Sequence, residues 1–155
     1  MGGMNRKHSP KGFSLVELLV VIALIAIVTR VSLPAFWAYT AKTNLKTAVR
    51  EVMGDLANAK QRAVEENLDL YRLTFDVSGS TYVLSRTDTG AIWTKSVASL
   101  ARGVSIESVS FSGGSVVSFN KRGTVSAGNV TLKNGLGAKA KISINITGRT
   151  YVEYS

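Results

Sequence analysis

The sequence has no cysteine, and its one histidine, His8, lies among the first twelve residues. Thiol chemistry and disulfides are thereby excluded. From residue 13 onward so are the usual zinc and transition-metal sites, which draw on Cys and His. The numerous serines have no imidazole or thiolate beside them in the pattern, and the C-terminal half has no cluster of acids, so no nucleophile is visibly activated. An enzyme is not expected, nor is a metal or any other cofactor. Acids are scarce in two further places. The first twelve residues hold Arg6, Lys7 and Lys11 and no acid, and residues 108–155 hold Lys121, Arg122, Lys133, Lys139, Lys141 and Arg149 against Glu153 alone, a local charge of +5. Polar side chains are nearly missing from residues 13–28, where only Ser14 and Glu17 interrupt the apolar run. No internal repeat or low-complexity tract occurs.

A chain of 155 residues suits one ordinary domain plus a long helix. The apolar run 13–28 falls short of the roughly 20 residues that span a bilayer. It reaches that length by continuing past Thr29 and Arg30 into Val31, Leu33, Phe36 and Trp37. Arg30 would snorkel toward headgroups, and Trp37 and Tyr39 suit a membrane interface. The basic residues upstream place the N-terminus on the cytoplasmic side and the bulk of the chain across the membrane. A generic secretory signal would need a small-residue cleavage site after the run; Val28-Thr29-Arg30 offers none. Pro34 is tolerated in such a helix as a kink or a loosened turn.

Beyond it, Leu45, Val49, Val52, Leu56, Ala59 and Ala63 recur at intervals of four and three, the apolar face of an amphipathic helix. Lys42, Lys46, Arg50, Asp55, Lys60, Arg62 and Glu66 take the intervening positions. One long helix over about 13–67 is therefore expected. From Leu70 the period becomes two, with Tyr71, Leu73, Phe75 and Val77 alternating with polar residues before a Ser78-Gly79-Ser80 turn. Further strands are expected near 82–86, 104–111, 115–119, 129–132, 141–146 and 150–154, separated by glycines. The fold class is α+β, a long N-terminal α-helix packed on a C-terminal antiparallel β-sheet domain. Trp93 reads either as a partner anchor or as a half-buried packing residue, and packing is the simpler use.

Gly12-Phe13-Ser14-Leu15-Val16-Glu17, followed by an apolar run and Pro34, resembles the N-terminal signature of type IV pilins and pseudopilins. Val117-Ser118-Phe119-Asn120-Lys121-Arg122-Gly123, Val130-Thr131-Leu132, Ile142-Ser143-Ile144 and Gly148-Arg149 look like the β-rich C-terminal pattern of the GspH/FimT group. The resemblance implies cleavage by a prepilin peptidase between Gly12 and Phe13, with methylation of Phe13. It also implies a role in filament assembly for Glu17 and a helix kink at Pro34. Residues 1–12 would then be a leader, 13–37 the transmembrane segment, 38–67 the amphipathic half of the helix, and 68–155 a periplasmic β-rich domain. Whether Met1 or Met4 starts the chain, the leader is short and basic. Arg30 departs from the family pattern, in which this stretch is apolar.

A carboxylate at Glu17 is costly in a membrane and is expected either to pair with the terminal ammonium of a neighbouring Phe13 or to stay protonated near the interface. The implied function is a minor pseudopilin of a type II secretion system or type IV pilus-like filament, placed near the tip. Its partners would be the inner membrane, the peptidase and other pilins. The alternative is a DNA receptor of the FimT kind, with Arg149, Lys121, Arg122, Lys139 and Lys141 on phosphates. Gly148-Arg149-Thr150-Tyr151 lacks the second arginine of the DNA-binding element in that group. Gly148 then reads as a hairpin turn beside a solvated Arg149.

Overall fold

The structure is a computed structural model that describes residues 12–155; residues 1–11, with Arg6, Lys7, His8 and Lys11, lie outside the described part. A single helix, α1, runs over Leu15–Glu65, and two compact units divide the chain between Trp37 and Ala38. The helix starts where Ser14 offers its carbonyl to the N–H of Leu18, at 3.1 Å. It stops because Asn67 turns left-handed (φ 53°), a conformation Asn tolerates, and the N–H of Leu68 folds back to the carbonyl of Ala63 at 3.0 Å.

In the first unit, the apolar side chains of α1 are exposed on every side, Leu15 by 79% and Ile27 by 63%. Pro34 lies inside α1 without ending it. An α1 segment that is apolar all round buries itself in something other than this chain.

In the second unit, Leu45, Val49, Val52, Leu56, Ala59 and Ala63 are all buried, as their spacing predicts, together with Ala48. They join the inner faces of two four-stranded antiparallel sheets in a single core. The first sheet has the order β3-β2-β1-β5, from β1 (Tyr71–Asp76), β2 (Thr81–Arg86), β3 (Gly90–Ser96) and β5 (Val116–Ser118). The second has the order β4-β6-β7-β8, from β4 (Val104–Phe111), β6 (Gly128–Asn134), β7 (Lys139–Ile144) and β8 (Thr150–Tyr154). Period-two alternation holds well in β1, where Tyr71, Leu73 and Phe75 are buried and Arg72, Thr74 and Asp76 exposed. Asp76 ends that strand by accepting the backbone N–H groups of Ser78 and Gly79, each at 3.0 Å. Those bonds, with the Ser78 hydroxyl first among them, hold its carboxyl below the usual range.

Several details differ from the sequence-based expectation. The antiparallel β domain is two sheets, and one strand of the first, β3, was not expected at all. Its apolar residues Ala91, Ile92 and Trp93 are consecutive because the register shifts between Leu84 and Ser85, leaving Ile92 as the extra bulge residue. Its other inward position, Lys95 opposite Tyr82, carries a charge where the pattern calls for an apolar side chain. A short helix, α2 (Val97–Leu100), follows β3 and also lacks a sequence signal. Val77 and Ile146 fall outside β1 and β7, both exposed in turns.

Where β6 begins, Gly128 passes so near β4 that a Cβ there would overlap the carbonyl oxygen of Ser110 and the backbone and ring of Phe111. Gly128→Ala should therefore lower stability by about 1–3 kcal/mol, as overpacking does. Thermal unfolding of the variant beside the parent reads this directly, and an unchanged midpoint would show that the β4–β6 seam yields freely.

Candidate functional site

The residues expected to act in processing and assembly lie at the start of the first unit. Gly12 has nothing within 4 Å of the position a Cβ would take, and Phe13 precedes α1 with its ring in the open. Glu17 stands in the first turn of α1, where the helix dipole favours a negative charge. Among the described residues no side chain pairs with it. Thr29 donates its hydroxyl to the carbonyl of Ile25 at 2.7 Å, one turn ahead of the Pro34 region. Residues 13–28 are thus an exposed apolar stretch with one carboxylate, Glu17, near its start.

The second unit contains a buried charge that helical spacing alone put on the wrong side. Asp55, expected on the polar face of α1, is only 8% exposed. It sits between the buried positions Val52 and Ala59 because the apolar stripe of a 3.6-residue helix is wider than one line of residues. Its carboxylate accepts the phenolic O–H of Tyr82 at 2.6 Å and the ammonium of Lys95 at 2.8 Å to each oxygen. Glu51, one turn earlier, reaches the same ammonium at 4.0 Å. Trp93 is half-buried on β3; its ring lies edge-on to Tyr82, and the Lys95 ammonium stands 5.0 Å from its centre. Burial and the Asp55 carboxylate push the Tyr82 phenol far above its ordinary range. The cluster neutralises an inward charge at an edge strand and fixes α1 against the first sheet. Its donor set has no open position for chemistry.

Two other ties fasten α1. Asn44 donates its side-chain amide to the carbonyl of Arg102 at 3.0 Å, and Lys60 donates to the carbonyl of Thr147 at 2.8 Å. Lys60 lies across Gly148, which is left-handed (φ 77°) in the turn before β8, and its aliphatic chain fills the space a Cβ there would need. Gly148 does form the β7–β8 turn, as expected, with Asn145 accepting the N–H groups of Thr147 and Arg149.

The basic residues of the C-terminal third are brought near acids from elsewhere in the chain. Lys139 pairs with Glu107 at 2.8 Å, with Lys133 at 4.0 Å from the same carboxylate, and Lys121 lies 3.9 Å from Asp69. Lys141 stands opposite Glu153 in the β7–β8 register. Glu107 is the extra residue of a β4 bulge, which turns it toward the lysines. Arg122 and Arg149 are left exposed, on turns whose glycines, Gly123 and Gly148, both face Lys60. The five candidate DNA-contacting residues therefore do not form one unpaired patch. Among the described residues no group of acids or other ligands suits a metal ion.

The model of the family described as type II transport protein GspH matches residues 48–148. The chain belongs to the GspH family. A second model, for the prokaryotic N-terminal methylation motif, matches residues 7–29. The fold of this GspH-family chain is similar to that of the minor pseudopilin EpsH from the type 2 secretion system of Vibrio cholerae. The TM-score is 0.56 at 10% identity, over 71% of this chain and 96% of that one. In sequence it is 38% identical over 60 residues to a fimbrial protein of Pseudomonas aeruginosa, and 41% identical over 56 residues to the type IV major pilin protein PilE1 of Neisseria gonorrhoeae. These stretches cover 39% and 36% of this chain and 38% and 31% of those proteins, well under half the length of each relative. As a GspH-family member the chain is of a structural, non-enzymatic kind. Its apolar N-terminal helix and methylation motif fit membrane anchoring of a soluble C-terminal domain.

The Asp55 cluster gives two expectations. Asp55→Ala should cost about 3 kcal/mol, the low end of the range for a broken buried pair, because Lys95 keeps one-third of its side chain in water. Denaturant unfolding measures this, and a loss under half a kilocalorie would show the cluster to be a solvated surface pair. The raised Tyr82 phenol contributes stability that is whole below the unfolded value of 10.0 and is lost as pH rises through and beyond it. Thermal midpoints should consequently drop above about pH 10, and less steeply in Tyr82→Phe than in the parent.

Proposed function

We propose that the chain is a minor pseudopilin of a type II secretion system, matured by a prepilin peptidase and assembled near the tip of the pseudopilus. One observation carries the reading: a methylation-motif N-terminus with an exposed apolar helix is joined in one chain to a GspH-type β domain. Residues 1–12 would be the leader, cut between Gly12 and Phe13, and Phe13 would be methylated. Residues 13–37 would span the inner membrane, 38–67 would form the amphipathic half of α1, and 68–155 would form the domain in the periplasm. The openness around Gly12 and Phe13 suits entry into a protease site.

Glu17 would set the register of subunits in the filament. A carboxylate among apolar side chains is costly unless it meets a cation, and the terminal ammonium of a neighbouring Phe13 would supply one. Pro34 would let the helix bend as subunits pack. When the full chain is expressed with and without a prepilin peptidase, intact mass should show a form beginning at methylated Phe13 only when the peptidase is present. Glu17→Ala, in cells that make the filament, should leave that processing intact and abolish incorporation into pseudopili. Normal incorporation of the variant would remove the proposed role of Glu17.

A second reading, contact with DNA, is favoured by the two exposed arginines on adjoining turns, Arg122 and Arg149. In it Lys121, Lys139 and Lys141 would exchange their carboxylate partners for phosphates. Retardation of duplex DNA by the detergent-solubilised chain at low salt, weakened steeply by added salt and lost in Arg122→Ala/Arg149→Ala, would support it. No retardation at low salt would rule it out.

A further inference from the structure

Between Glu17 and Glu51 the chain carries Arg30, Lys42, Lys46 and Arg50 and no acid. Lys42, Lys46 and Arg50 follow one another at intervals of four, so they form one stripe along α1. Their like charges repel at that spacing, and among the described residues Lys42 and Lys46 have no ion-pair partner. The same two lysines border an open groove of about 570 Å³. Its walls are the flank of Leu45, the β6–β7 turn at Leu136, Gly137 and Ala138, and the end of β8 at Tyr154. Leu136 is 63% exposed and Tyr154 51%, so the groove combines cationic groups with uncovered apolar surface. Lys139 also borders it, but its ammonium is held by Glu107 at 2.8 Å.

We propose that this groove binds the headgroup of an anionic phospholipid, with Lys42 and Lys46 on the phosphate and Leu136 and Tyr154 against the glycerol and upper acyl carbons. Three observations select that occupant over a soluble anion. Lys42 and Lys46 follow Trp37, the last residue of the apolar unit, by only five and nine positions. Side chains on a helix lean toward its N-terminus, so both ammonium groups incline toward the apolar end of α1. The apolar walls would gain nothing from inorganic phosphate but do gain from an amphiphile. One phosphate between two repelling ammonium groups also removes a cost that the unliganded stripe carries. The bound lipid would hold the subunit at the bilayer surface until it is drawn into a filament.

The proposal rests on the membrane-anchoring reading, and one experiment separates the two. The full chain is reconstituted in nanodiscs of equal phosphatidylglycerol and phosphatidylcholine, and the lipids retained after gentle detergent release are counted by native mass spectrometry. Phosphatidylglycerol should be retained over phosphatidylcholine, with the excess falling roughly fivefold for each of Lys42→Gln and Lys46→Gln. Lys42→Arg/Lys46→Arg should keep it, as should Lys141→Gln on the outer face of the second sheet. Since all these positions are exposed, the thermal midpoints of the variants should match the parent and exclude unfolding as the cause. Equal retention of the two lipids by the parent, or an undiminished excess in the double glutamine variant, would overturn the proposal while leaving the anchor intact. A chain that fails to enter the discs would overturn both.

Discussion

The second unit depends on one stripe of α1. From Leu45 to Ala63 a single helix face joins the inner surfaces of two separate sheets in one core, where the sheets also meet each other through Phe75 of β1 and Phe111 of β4, their rings stacked 5.8 Å apart. The small residues on that face, Ala48, Ala59 and Ala63, are buried with no exposed surface, while Leu45, Val49, Val52 and Leu56 supply volume. The apolar character of α1 also changes from all-round to one-sided near Ala38, where the compact units divide. The helix is therefore solvated in two ways, by whatever covers residues 13–37 and by its own sheets beyond.

Apolar surfaces alone define a helix position loosely, since hydrophobic burial is not directional. Direction comes from polar ties spaced along α1: Asn44 to Arg102, Asp55 to Tyr82 and Lys95, and Lys60 to Thr147. The middle tie is the costly one to desolvate and hence the most selective, because a shift of one residue would leave Asp55 buried without its phenol and ammonium. Edge protection follows from the same group. Lys95 points inward from the open edge of β3 beside a bulge, a combination that discourages unwanted strand pairing. In the filament proposed above, a guarded sheet edge would limit wrong contacts.

The charge of the C-terminal third has a different meaning in three dimensions than along the chain. In sequence, residues 108–155 are strongly basic. In the fold, Asp69 and Glu107 arrive from the preceding segment and Glu153 faces Lys141, so the lysines are largely matched. The basic stripe without an ion pair among the described residues lies instead on α1, at Lys42, Lys46 and Arg50, a surface that a count over the β region does not reveal.

The long helix, its buried stripe, most of the strands and the N-terminal signature were readable from residues alone, because each depends on spacing within a short window. Period 3.6 and period 2 patterns are local, as is a basic stretch followed by Gly12-Phe13 and a carboxylate at Glu17. Strand β3 was not readable, since its bulge at Ile92 and the inward Lys95 break the alternation that marks a strand. Asp55 was misplaced on the polar face for a related reason: its burial is allowed only by Tyr82 and Lys95, which lie 27 and 40 residues away in sequence. The split into two sheets, the pairing of lysines with distant acids and the groove beside Lys42 and Lys46 were decided by tertiary structure. Each is set by which distant backbone segments lie side by side, and no local periodicity encodes that.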